Sequence, residues 1–182
     1  MGGHLAIVLP GRAYPASGPA LLVPLRALQQ VGADSFTVRY PADEGGEELE
    51  GAVARQVSAA VDEAQPDRVT FVAKSLGTVA LAGLDASVLP SRVDAVWVTP
   101  IFRLERVRKG AVATGWRSLL VAGSADSEHL PDHHEAVRSA LDAASVVLPG
   151  ADHGLEVPGD LLATIEGWRR LGDAALTFAS GE

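Results

Sequence analysis

Cysteine is absent from the 182 residues. That excludes disulfides, thiolate metal sites and a cysteine nucleophile. Lysine is scarce, with 2 against 13 arginines, and the net charge is -8. No basic cluster exceeds RLERVRK, residues 103–109. Phosphate backbones require a basic face, so nucleic acid is not expected as a partner. No window approaches the roughly 18 continuous apolar residues of a membrane span, so no membrane association is expected. The opening MGGHLAIVLPG has no basic leader of the secretory kind and no Ser or Thr at position 6 for myristoylation. The expected location is cytoplasmic. Neither G-x-G-x-x-G nor G-x-x-x-x-G-K-[ST] occurs, so nucleotide binding has no motif support and no cofactor is expected.

What is present is a chain of short apolar runs alternating with helical patterns. Strands are expected at 4–10, 35–41, 68–73, 93–100, 116–123 and 145–150. Helices are expected at 19–32, with Pro24 kinking it or delaying its start, then at 46–66, 76–86, 131–144 and 160–178. The tail ASGE is expected to fray. Near-continuous Val, Ile, Leu and Ala strands, each followed by a helix, indicate an α/β fold: a three-layer sandwich with a six-stranded parallel sheet covered on both faces. No second domain, repeat or linker is visible, so residues 1–182 read as one domain. The connection across 95–116 is too short for a lid domain, which leaves the expected site open.

In a doubly wound sheet, ligands bind beyond the carboxyl ends of the strands. Ser75 stands at such an end, in VAKSLGT. A tight strand-to-helix turn would expose its hydroxyl and aim the following N–H groups at a developing oxyanion. Small neighbours are needed two residues to either side. Here they are Ala73 and Gly77, giving A-x-S-x-G, one methyl from G-x-S-x-G. The alternative is a plain serine near a helix N-cap. A serine nucleophile needs a base. The fifth strand runs into Asp126 and the sixth into His153. The order Ser75, Asp126, His153 is the nucleophile, acid, base order of the α/β-hydrolases. Taken singly, His153 could be a loop histidine and Asp126 a turn or cap residue.

The pieces VLPGRAY, VAKSLGT, VAGSADS and GADHGLEVPG resemble the α/β-hydrolases, specifically the small, lidless bacterial members that are dienelactone-hydrolase-like. The resemblance spans nearly the whole chain. It implies loss of the first two strands of larger hydrolases, leaving a sheet ordered 2-1-3-4-5-6. Two departures stand out: Ala73 for the usual glycine, and Pro10 where many relatives carry histidine.

Around the triad, Gly11 lets the backbone approach, and the N–H groups of Arg12 and Leu76 are the expected oxyanion-hole donors. Gly11, Tyr14, Lys74 and Phe102 are the expected substrate-binding residues, with the Arg12 side chain beside them. Lys74 reads as a solvent or pocket-rim charge, because adjacent residues at a sharp turn point apart and a serine–lysine dyad is disfavoured. Histidines 129, 133 and 134 read as rim residues, with no metal site, since Pro131 interrupts any shared helix face. The resulting expectation is a serine hydrolase cleaving a small-molecule ester or thioester. Two readings from other classes stand beside it: a catalytically silent hydrolase fold serving as a binding or scaffolding protein, and a flavodoxin-like cofactor binder. The oligomeric state is unknown from sequence.

Overall fold

The computed structural model describes residues 3–40 and 47–181. The expected helix start at residue 46 and the last residue of the tail lie outside them. Strands β1 (His4–Leu9), β2 (Ala33–Thr37), β3 (Arg68–Lys74), β4 (Arg92–Val98), β5 (Arg117–Gly123) and β6 (Ala144–Leu148) form one sheet. Their order is β2-β1-β3-β4-β5-β6, and each neighbouring pair is parallel. Helices α1 (Pro19–Gln30), α2 (Glu47–Ala64), α3 (Leu76–Ala82), α4 (Glu105–Thr114), α5 (Pro131–Leu141) and α6 (Leu161–Ser180) cover it.

Strand alternation divides the core into two layers. Leu5, Ile7, Leu9, Val69, Phe71, Ala73, Ala95, Trp97 and Leu120 face one side, against residues of α2, α3, α4 and α5. Ala6, Val8, Val72, Val96, Val98, Leu119 and Val121 face the other, against α1 and α6. These strands are apolar on both faces because both faces are buried.

Several boundaries differ from expectation for local reasons. Helix α1 begins at Pro19 and runs through Pro24; a proline at the first position sacrifices no helical hydrogen bond. Helix α3 stops at Ala82 rather than at 86, and a short 3-10 turn at Ala86–Val88 follows, capped by Asp85. The 95–116 connection contains α4, which packs beside α3 and α5. The tail does not fray where expected: α6 continues to Ser180, with Phe178 and Ala179 buried. At the amino ends of the central strands, Asp94 accepts from Arg68 at 2.7 Å and Arg117 at 2.8 Å. Among the described residues no helix is long and apolar enough to cross a membrane.

Candidate active site

Strand β3 ends at Lys74, and Ser75 is the hinge into α3. Its φ of 50° and ψ of -111° lie outside the regions open to ordinary residues. Such a conformation costs on the order of 1–3 kcal/mol and persists only where its surroundings enforce it. They do so here. The Ser75 N–H donates to Val98 O at 3.1 Å, while the Ser75 carbonyl accepts from the Thr78 N–H at 2.9 Å. The Thr78 hydroxyl adds a second bond to that carbonyl at 2.6 Å. Gly77 lets α3 press onto β1. The turn forms with Ala73 wholly buried at the position where glycine is usual.

The turns after β5 and β6 are stitched together. Ser124 N–H donates to Leu148 O at 3.0 Å and Ala125 N–H to Ala151 O at 2.9 Å. Gly150 N–H donates to the Ser124 hydroxyl at 2.8 Å. This brings Asp126 and His153 together. Asp126 Oδ2 lies 2.8 Å from His153 Nδ1, and His153 Nε2 lies 2.8 Å from Ser75 Oγ. Residues 78 apart in the chain thus share a hydrogen bond. The other carboxylate oxygen of Asp126 accepts the Glu128 N–H at 2.8 Å. The Asp126 side chain is 1% exposed, whereas that of His153 is 37% exposed and reaches solvent. Burial alone would raise the Asp126 pKa. The hydrogen bonds from His153 and Glu128 N–H, with the charges of His153 and Lys74, outweigh it and leave the carboxyl below its ordinary value. An ionised Asp126 accepts from Nδ1–H and leaves Nε2 free to accept the serine proton.

Gly11 lies against Ser75: a Cβ built on it would stand 3.4 Å from Ser75 Cβ and 3.5 Å from Lys74 O. The loop carrying Gly11 and Arg12 is anchored by Tyr40, whose hydroxyl donates to Pro10 O at 2.8 Å. The Arg12 side chain is exposed. Among the described residues, neither the Arg12 nor the Leu76 N–H donates to a backbone or side-chain acceptor.

Three expectations are corrected. Lys74 is not a solvent or rim charge: it is 1% exposed. It follows Val72 on the α1/α6 face of β3, and the loops after β1, β4 and β6 close over that face. Its Nζ donates to Thr99 Oγ1 at 3.0 Å and to His153 O at 2.7 Å, and it sits 4.6 Å from the centre of the Tyr14 ring. Phe102, expected to bind substrate, is not presented to an open site; it is 2% exposed and packs between Trp97 and His134. His134 is likewise buried rather than on the rim, with Nε2 2.8 Å from Ser145 Oγ. Burial and the neighbouring His129 bring its pKa down to about 4, so it is neutral near pH 7. Tyr14 is half-buried, and its hydroxyl accepts the Ala20 N–H at 3.1 Å, which turns it toward α1.

Two residues were missed by sequence reasoning. Asp152 shapes the histidine loop: its Oδ1 accepts the Gly154 N–H at 2.7 Å and the Glu156 N–H at 3.1 Å. The local D-x-G pattern of an Asx turn was the available signal. Thr99, at φ 41° and 1% exposed, holds the Lys74 ammonium; its role depends on a contact with residue 74 that no local pattern announces.

No family model and no curated protein matches the sequence. Solved structures do match the fold. An α/β serine hydrolase homologue from Coxiella burnetii aligns with a TM-score of 0.72 and 14% identity, over 97% of this chain and 84% of that one. A lidless α/β serine hydrolase from Xanthomonas campestris aligns with a TM-score of 0.70 and 15% identity, over 100% and 82%. Est1E from Butyrivibrio proteoclasticus aligns with a TM-score of 0.74 and 13% identity, over 99% and 88%. The chain therefore has the α/β-hydrolase fold, in the six-stranded form.

Proposed function

We propose that this chain is a serine hydrolase acting on a small ester or thioester through an acyl-enzyme. The observation that carries the reading is the Ser75 hydroxyl, on a strained hinge, 2.8 Å from an imidazole whose other nitrogen is held by buried Asp126. Strain at a residue that also meets a base is a mark of function rather than packing. The α/β-hydrolase fold and the serine hydrolases that share it support the same chemistry.

Ser75 Oγ attacks the carbonyl carbon as its proton passes to His153 Nε2, and the carbonyl π electrons move onto oxygen. Asp126 holds the Nδ1–H tautomer and balances the imidazolium charge. The N–H groups of Arg12 and Leu76 receive the oxyanion, with Gly11 allowing the approach. Collapse breaks the bond to the alcohol or thiol, which leaves with the proton from Nε2. Water then gives a proton to His153 and attacks the acyl carbon; collapse breaks the bond from that carbon to Ser75 Oγ, Nε2 returns its proton to Oγ, and the carboxylic acid leaves. No residue role in this scheme calls for a metal or cofactor.

The test is reaction with a serine-directed fluorophosphonate, followed by a panel of short acyl esters and thioesters. Stoichiometric labelling that disappears in Ser75→Ala, with hydrolysis of at least one panel member, is expected. Folded parent protein that takes no label would instead favour a silent fold used for binding or scaffolding.

A further inference from the structure

Lys74 is one of the largest side chains that the fold buries completely. An ammonium in such a place carries a desolvation penalty that methionine or leucine, filling the same space, would avoid. It is retained among a specific set of partners. The ammonium meets the Thr99 hydroxyl after β4, the backbone carbonyl of His153 after β6, and the face of the Tyr14 ring after β1. The charges of Asp126 and Asp152 act on it. The residue next to Ser75 thus touches the loops after β1, β4 and β6. The shortest of these contacts, at 2.7 Å, is to the main chain of the residue that bears the imidazole.

We propose that Lys74 is a positioning residue for His153: its ammonium holds that histidine's own carbonyl and so keeps the imidazole on the Ser75 hydroxyl through turnover. The proposal rests on the reading of Ser75 and His153 as nucleophile and base. The clamp has a specific task. After taking the serine proton, Nε2 must deliver it to the leaving group without the ring drifting. The Asp126 contact fixes the ring at Nδ1, Asp152 folds the chain downstream, and Lys74 fixes the backbone between them. A misplacement of about 1 Å in such an arrangement can cost about a hundredfold in rate.

The test compares the parent with Lys74→Met, which keeps length and removes donors and charge. Its readouts are kcat and KM on an ester from the panel and the two-bond nitrogen–proton spectrum of the imidazoles, with the His153 signals assigned by their loss in His153→Ala. Lys74→Met is expected to lower kcat about tenfold or more while KM stays within about twofold, because the loss falls on the transition state. The His153 signals are expected to shift or broaden in the same variant. Unchanged kinetics with unchanged His153 signals would overturn the proposal, as would a fall in kcat that leaves those signals untouched. If Lys74→Met does not fold, Thr99→Val removes one of the two oxygens around the ammonium and carries the same readouts, with a smaller loss expected. If the parent neither labels nor hydrolyses, the hydrolase reading fails by itself. The His153 spectrum then decides the clamp alone, and signals indifferent to Lys74→Met overturn it.

Discussion

Gly77 is pressed so closely onto Leu9 that a Cβ at Gly77 would lie 2.2 Å from the Leu9 carbonyl oxygen. The far end of no flexible side chain stands there to give way; the obstacle is the backbone and Cβ of Leu9, at the carboxyl end of β1. Gly77→Ala must therefore push α3 away from β1, and the hinge at Ser75 moves with it. The expected cost is about 1–3 kcal/mol of stability, as for other overpacked cores. A shift of the urea midpoint measures it. Fluorophosphonate labelling should fall further than the loss of folded protein explains. A variant as stable and as reactive as the parent would show that the close approach does not set the hinge.

Asp126→Asn separates the charge of the acid from its shape. The amide can still accept the Glu128 N–H, so the turn should survive. Its NH2 can donate to Nδ1, which puts the imidazole proton on Nε2, facing Ser75 Oγ. The base is then blocked. Labelling and ester hydrolysis should drop on the order of 10⁴-fold near neutral pH, with the melting temperature little changed. Retention of labelling within about tenfold would place the base elsewhere.

Burial brings the Lys74 pKa from 10.5 down to about 8, against the opposing pull of Asp126 and Asp152. Between those two values the unfolded chain keeps the proton and the folded chain releases it. The unfolded state then binds more protons, so this group's contribution makes stability rise with pH. Tyr14 acts in the opposite sense: burial raises its pKa above 10.0, so its contribution falls as the unfolded phenol ionises first. Tyr40, also raised by burial, does the same. Subtracting Lys74→Met isolates the lysine. The unfolding free energy of the parent minus that of the variant should grow by about 3 kcal/mol from pH 7 to pH 10.5. Denaturant titrations across that range measure it, and a flat difference would mean that the ammonium is not desolvated.

The central strands were legible in the sequence because strands buried on both faces read as uninterrupted apolar runs, whereas the edge strands β2 and β6 are partly exposed. Ser75, Asp126 and His153, the three positions of the proposed triad, could be nominated because each follows the carboxyl end of an apolar run. Helix α4 was hidden. ERVRKGAVAT carries a glycine in its middle, where helix propensity is poor. The packing explains the choice, since a Cβ on Gly110 would lie 2.2 Å from Ala82 O on α3. Lys74 and Phe102 were misplaced because their exposure is decided by loops distant in sequence. Residue 74 ends a strand, which suggests a rim, but the chain around Tyr14, Thr99 and His153 closes over it. The charge of a lysine side chain is a weak guide to burial where other loops supply its oxygens.

An acyl group caught on the protein speaks most directly to the chemistry. Brief exposure to an activated acetyl ester, acid quench and peptide mass mapping should find acetyl on the peptide containing Ser75, approaching one group per chain and absent from His153→Ala. Folded protein that carries no acetyl under those conditions, or carries it on another residue with Ser75 unmodified, would contradict a serine acyl-enzyme at this site.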